Sequence, residues 1–287
     1  MARSSTTAAP SGDTDSAPPA ACAGLVRIYP TATGETHALR GVDAQFHRHT
    51  VTALTGPSGS GKSTLLGLLA LRDRPSGGEV TILGRRASSL VGRERRAHSR
   101  RTLAWVPQRP TDGVFPHLTA VQNVEQAARW RGAPGGEAAA LLDRLGLGPV
   151  ASVAAARLSG GEQQRVALAC ACVGSPPVVL CDEPTAELDE DTAALALAEL
   201  RRVAGTGSAV VVATHDPGAI AACDRVVALR HGVVSTEQWG AAAAQATIDP
   251  AGRVQLPPDA LELFPSRRAV LRVEGGRVVL EPTGEDR

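Results

Sequence analysis

Nine residues constrain this chain more than any others: Gly56-Pro57-Ser58-Gly59-Ser60-Gly61-Lys62-Ser63-Thr64. A β-prone run, Val51-Thr52-Ala53-Leu54, precedes them, and a leucine-rich run of helical character, Leu65-Leu66-Gly67-Leu68-Leu69-Ala70, follows. A glycine-rich turn between a strand and a helix is a loop built to cradle phosphate. Glycine lets backbone N–H groups curl around an anion with no Cβ in the way. The helix that follows aims its unsatisfied N–H groups and positive dipole end at the same point. Lys62 supplies a point charge for the terminal phosphates, and the Ser63 hydroxyl a ligand for Mg²⁺. Lys62 is also the only lysine among 287 residues. A compact ammonium is kept at the one place where a planar guanidinium would not serve.

The runs on either side predict an α/β fold. Leu25, Val26 and Ile28 begin a strand that ends at Tyr29, and Leu39, Val42, Ala44 and Phe46 alternate as a second. Glu79 to Leu83 follows the phosphate loop's helix as another, and Leu103-Ala104-Trp105-Val106 runs into Pro107-Gln108. Aliphatic runs at 178–182 and 209–213 alternate with helical stretches near 161–174 and 190–203, and shorter strands follow at 225–229 and 233–235. Near-continuous apolar strands between helices predict a mostly parallel sheet covered on both faces, with an antiparallel part. Residues 109–160, Ala-rich and helical, form an insert broken at Gly132-Ala133-Pro134-Gly135-Gly136. Residues 1–22, poor in anything to bury, predict a disordered tail. Residues 241–246 read as a linker, and strands near Arg253 to Leu256, at 269–274 and at 277–281 form a small β-rich unit over 241–287. The main domain is expected over 23–240.

Two further stretches carry chemistry. Val178-Val179-Leu180-Cys181 delivers Asp182 and Glu183 to the end of a buried strand, where α/β sheets keep their ligand crevice. Asp182 suits a metal shell, and Glu183, one position on, can polarise a water. Leu158-Ser159-Gly160-Gly161-Glu162-Gln163-Gln164-Arg165 spaces Ser159 and Glu162 as a capping box. A capping box does not ask for two glycines in the first helical turn, each costing roughly 1 kcal/mol against alanine. A phosphate approaching the backbone closely would supply the reason.

Taken together these motifs resemble those of ABC-type ATPases over roughly residues 24–240. The resemblance makes Gly56, Pro57, Ser58, Gly59, Ser60, Gly61, Lys62, Ser63 and Thr64 the Walker A loop. It makes Asp182 the Walker B carboxylate and Glu183 the catalytic base. Gln108 is placed as the Q-loop glutamine, touching Mg²⁺ and the attacking water. His215, in Ala213-Thr214-His215-Asp216, is placed as the switch histidine that reaches the γ-phosphate. Ser159, Gly160 and Gly161 are the signature residues, and Ala186-Glu187-Leu188-Asp189 the D-loop, with Glu187 where a small residue is more usual. Tyr29 is placed like the aromatic that stacks on adenine. The family implies ATP and Mg²⁺ as cofactors and a dimer, with itself or a similar subunit, in which the signature helix of one subunit faces the Walker A loop of the other. It also implies a separate membrane permease gripped near Gln108 and the insert. Residues 88–108 and the run from Phe115 to Val124 resemble the macrolide-export and lipoprotein-release group, which implies export of a drug-like compound, lipid or lipoprotein. That group also includes a cell-division ATPase, so a signalling complex at the membrane is the alternative.

Composition bounds the rest. A net charge of +1 argues against bulk attraction to nucleic acid. A soluble ABC ATPase of chromosome maintenance would need sustained heptads between Lys62 and Ser159, which are absent, and a translation factor would need two ATPase copies. No apolar run spans a bilayer and no secretory signal opens the chain, so the expected location is cytoplasmic, peripheral on the inner face of the membrane. Cys22, Cys170, Cys172, Cys181 and Cys223, odd in number and scattered, read as reduced thiols without a zinc set. The arginine-dense stretch 91–101 reads as a solvated helix face or a contact to anionic lipid or phosphate. The run from Asp249 to Pro257 resembles the opening of swapped-hairpin, transition-state-regulator-like domains, which implies dimerisation or regulation. The alternative there is a simple hairpin packed on the main domain.

Overall fold

A computed structural model describes residues 17–32, 34–133, 136–242, 245–248, 254, 256, 258–266, 268–275 and 277–283. In chain order these form β1 (Ala20–Thr31), β2 (Gly34–Phe46), β3 (Thr50–Thr55), α1 (Lys62–Leu69), β4 (Gly77–Ile82) and β5 (Arg85–Arg86). Then come α2 (Gly92–Thr102), β6 (Leu103–Val106), α3 (Ala120–Arg131), α4 (Glu137–Arg144), α5 (Gly160–Cys172), β7 (Val178–Asp182) and α6 (Glu190–Gly205). The chain continues through β8 (Ala209–Ala213), α7 (Pro217–Ala221), β9 (Arg225–Arg230), β10 (Val233–Trp239) and β11 (Gln245–Ala246). Last are α8 (Pro258–Glu262), β12 (Ala269–Glu274) and β13 (Arg277–Pro282).

The aliphatic runs make the centre. A seven-stranded sheet runs in the order β11-β10-β9-β3-β8-β7-β6, parallel from β9 to β6 and antiparallel at the β10 and β11 edge. Period-two alternation divides its strands between two cores. Val178, Leu180, Ala209 and Val211 face one, and Val179, Cys181, Val210 and Val212 face the other. The first core is closed by a four-stranded antiparallel sheet, β2-β1-β4-β5, through Leu25, Leu39, Phe46 and Ile82. Helix α1 belongs to this core, with Leu65, Leu66, Leu68 and Leu69 all buried. A helix apolar on so many sides fits only in an interior. The second core is covered by α3, α4, α5 and α6 through Val124, Leu141, Leu142, Val166, Leu168, Leu200 and Val203.

Several boundaries differ from those read in the sequence. Order reaches back to Ala20, inside the stretch read as a tail. Ala20 and Cys22 are buried because they lie on the face of β1 that looks into the first core, between β2 and β4, whereas Ala23 is exposed. Residues 1–16 lie outside the described residues. The linker is corrected too: Gln245 and Ala246 pair with Glu237 and Thr236, adding an edge strand to the main sheet beyond residue 240. Strand β10 runs on to Trp239 because Arg225, itself buried, holds Glu237 at 2.7 Å and lies over the Trp239 ring. Of the strand read near 253–256, Val254 bridges Ile248, and residues 253 and 255 lie outside the described residues, as do 249–252, 257 and Arg267. Two short helices, α7 and α8, were not expected. Burial pushes the Cys22 and Cys172 thiols up to about 12, so both stay protonated. In α2 the arginines divide: Arg95 is drawn inward to the carbonyls of Leu71 and Asp73 at 2.8 Å, while Arg93, Arg96, Arg100 and Arg101 face solvent.

Candidate functional site

The sheet order decides which loops can meet. Strands β3, β8, β7 and β6 are consecutive neighbours and parallel, so the segments leaving their C-terminal ends lie side by side. Those segments carry the phosphate loop, Thr214-His215, Glu183 and Gln108 respectively.

The loop after β3 needs glycine at two positions for space as well as backbone. Gly56, at φ 137°, would put a Cβ 2.1 Å from the Leu229 carbonyl oxygen; Gly61, at φ 105°, would put one 2.7 Å from the Ala38 carbonyl oxygen. The β9–β10 turn closes the loop's flank, with the Gly232 N–H donating to the Ser60 carbonyl at 3.2 Å. That contact was not read from the sequence, where Arg230-His231-Gly232 is legible only as a turn. Pro57, Ser58 and Gly59 are exposed and Ser60 is buried. Helix α1 starts from Gly61 without a side-chain cap or an acidic residue in its first turn, which leaves its N–H groups and dipole open to an anion. Lys62 Nζ bends back to donate to the Gly56 carbonyl at 2.7 Å and the Pro57 carbonyl at 3.3 Å. Thr64 is half-buried in the first turn of α1.

Ser63, next along α1, lies beside the Asp182 carboxylate at the end of β7. Asp182 is buried, and desolvation raises its pKa above the ordinary value, opposed by the neighbouring Ser63 hydroxyl and the Lys62 charge. A desolvated carboxylate beside a hydroxyl oxygen is a pair of hard donors that a cation would relieve. These two oxygens fit Mg²⁺.

Glu183 has left-handed backbone, φ 49°, and its N–H donates to the Ala213 carbonyl at 2.9 Å. Its Oε1 lies 2.8 Å from Nδ1 of His215, across from the end of β8. The Glu183 side chain is 12% exposed and that of His215 78%. The hydrogen bond, and then the charge, of Glu183 raises the His215 pKa above its ordinary 6.5. Both residues line a cleft of about 580 Å³ with Thr185, Ala186, Leu188 and Asp216. Gln108 stands exposed beyond the end of β6.

Other expected site residues stand apart from this group. Tyr29 pairs across the β1–β2 ladder with Thr36, two positions from Ala38, whose carbonyl faces Gly61. Its hydroxyl donates to Asp73 Oδ2 at 3.2 Å and the Arg27 guanidinium lies over its ring at 4.4 Å. Ser159 forms the expected capping box: its N–H donates to Glu162 at 2.8 Å and its hydroxyl accepts from the Glu162 N–H at 3.3 Å. Gly160 and Gly161 face the segment Glu187-Leu188 of the same chain. Asp189 caps α6 by accepting from the Thr192 N–H at 2.9 Å, which lowers its pKa.

Comparison with known proteins follows this geometry. The family described as "ABC transporter" matches residues 39–186. The lipoprotein-releasing system ATP-binding protein LolD 2 of Caulobacter vibrioides is 40% identical over 220 residues, covering 75% of this chain and 96% of that protein. The macrolide export ATP-binding/permease protein MacB of Nitrobacter winogradskyi is 38% identical over 218 residues, 75% of this chain. This chain spans only 34% of that relative's length. Among solved structures, the ATP-binding cassette MJ0796, as a post-hydrolysis dimer bound to ADP and Pi, superposes with a TM-score of 0.72 at 31% identity. That match covers 78% of this chain and all of the cassette. Motifs, sheet order and relatives agree: the chain belongs to the ABC transporter family.

Proposed function

We propose that the chain is an ATP-hydrolysing transporter subunit that closes as a dimer around two ATP molecules and drives a separate membrane permease. The observation that carries this reading is the Glu183–His215 hydrogen bond at 2.8 Å, set beside Lys62, Ser63 and Asp182 at one sheet edge. In this reading Lys62 leaves the Gly56 and Pro57 carbonyls to meet the terminal phosphates. The N–H groups at the start of α1 hold the same phosphates. Ser63 and Asp182, with Gln108 brought in from β6, would hold Mg²⁺, which would supply charge neutralisation for the phosphates. Glu183 accepts a proton from the attacking water and His215, released from it, donates to the γ-phosphate. Tyr29 offers its ring to adenine. Ser159, Gly160, Gly161 and Asp189 face the second subunit's nucleotide.

The relatives support export as the direction. Their names specify macrolides, pyoverdine and lipoproteins, so a drug-like compound, lipid or lipoprotein is the cargo class proposed. Among the described residues no helix is long and apolar enough to cross a membrane. That supports a peripheral subunit on the cytoplasmic face, docked on a permease. The testing variant is Glu183→Gln: ATP binding persists and hydrolysis slows by about 10²–10⁴. Hydrolysis at the parent rate would remove Glu183 from the role of base.

A further inference from the structure

Helix α5 opens with Gly160 and Gly161, and neither has a left-handed backbone that would require glycine. What they provide is room, and the chain itself fills it. A Cβ on Gly160 would sit 2.6 Å from Oε2 of Glu187, and one on Gly161 would sit 3.2 Å from the Glu187 carbonyl oxygen. A carboxylate therefore lies directly against the first residue of a thirteen-residue helix, where the dipole and the free N–H groups favour an anion. Glu162, the other acid of that turn, is already engaged by Ser159. Glu187 is exposed and forms no ion pair among the described residues, so no partner holds its charge away from this helix end.

We propose that Glu187 is an internal anion that guards the N-terminus of α5 and raises the ATP concentration needed to close the dimer. The inference rests on the reading above, in which the start of α5 receives the γ-phosphate of the nucleotide held by the second subunit. Glu187 and that phosphate cannot share one helix end: both are anions, and closure removes the water that would screen them. Closing the dimer thus requires the Glu187 side chain to turn away from Gly160. A symmetric dimer contains the contact twice, so its effect on the closing equilibrium is squared.

The test uses the full chain with Glu183→Gln, which holds ATP without consuming it, and follows dimer formation by sedimentation across an ATP series. Adding Glu187→Gln, nearly isosteric, is expected to lower the ATP concentration at half-dimerisation by roughly two- to five-fold, because the helix-terminus effect acts at two sites while two ATP molecules are bound per dimer. Raising ionic strength is expected to lower the threshold more with Glu187 than with Gln at that position, because only the charged guard is screened. An unchanged or higher threshold in the Glu187→Gln protein, with an unchanged melting temperature, overturns the guard alone. No ATP-driven dimer in either protein at any ATP concentration overturns the two-subunit reading and the guard with it.

Discussion

Glu183 sits in a backbone conformation that costs an ordinary side chain about 1–3 kcal/mol. The hydrogen bond from its N–H to the Ala213 carbonyl holds it there, against the extended backbone that the following Pro184 favours. The left-handed turn takes Glu183 out of the strand's alternation and aims its carboxylate at His215. Because that carboxylate favours the imidazolium, the folded-state pKa of His215 lies above 6.5. The resulting contribution to stability is complete below the unfolded value and is lost as the pH rises through the raised folded value. In an NMR titration the His215 ring protons should therefore titrate above 6.5, and Glu183→Gln should return the midpoint towards it. A midpoint indifferent to Glu183→Gln would mean that the pair does not persist in solution. At this scale the sequence was most informative: Lys62, Ser63, Asp182, Glu183 and His215 were each singled out, and sheet order brings them together. It was incomplete at Gly160 and Gly161, whose glycines were explained by an approaching phosphate alone. Their immediate neighbour is Glu187, a contact between two loops that no local spacing reveals. Nor could the sequence show that Glu183, far from the usual glycine or asparagine, adopts φ 49°.

Among the elements, one buried acid joins the helical insert to α6, beside the apolar contacts of the second core. Glu199 of α6 is 3% exposed and accepts from Arg144, at the end of α4, at 2.7 Å and from Arg202 at 2.7 Å. Both guanidinium groups remain partly in solvent, so the acid is the desolvated member and its partners offset that cost. Glu199→Gln keeps the shape but removes the charge that pairs α4 to α6. The expected loss is about 2 kcal/mol, the scale of a charged hydrogen bond inside a protein. Urea unfolding measures it, and faster amide exchange in α4 than in β7 would locate it in the insert. Strands β3, β7 and β8 were legible because they are buried on both faces and read as unbroken aliphatic runs. Elements set by their partners were not. Residues 20–22 look like the end of a polar tail until β2 and β4 close over them, and β11 exists only because β10 offers an edge. Helix α7 did have a local signal: Asp216 accepts from the N–H groups of Gly218 and Ala219, and Pro217 follows at the first helical position.

At the scale of the whole molecule, the two cores make residues 20–247 a complete sandwich of two sheets and a helical layer. Among the described residues, none beyond contributes to either core. Phe264 is buried, yet belongs to neither apolar cluster, and β12 pairs only with β13. In that hairpin the register puts Ala269, Leu271 and Val273 on one face with Pro282, Leu280 and Val278. Leu271, Val273 and Val278 are each more than 60% exposed, while Arg272 and Glu281 form an ion pair on the opposite face. Two strands with an open apolar face are marginal alone, so the main sandwich does not draw its stability from them. A chain ending after Thr247, whose N–H still closes on the Ser235 carbonyl, retains every strand of the seven-stranded sheet. It should melt within a few degrees of the full protein and hydrolyse ATP at a comparable rate. It should also bind less of an apolar dye such as ANS, because the exposed valine and leucine face is gone. Collapse of the melting transition on truncation would instead make the hairpin an integral part of the sandwich, and the division of the chain near residue 247 would have to be abandoned.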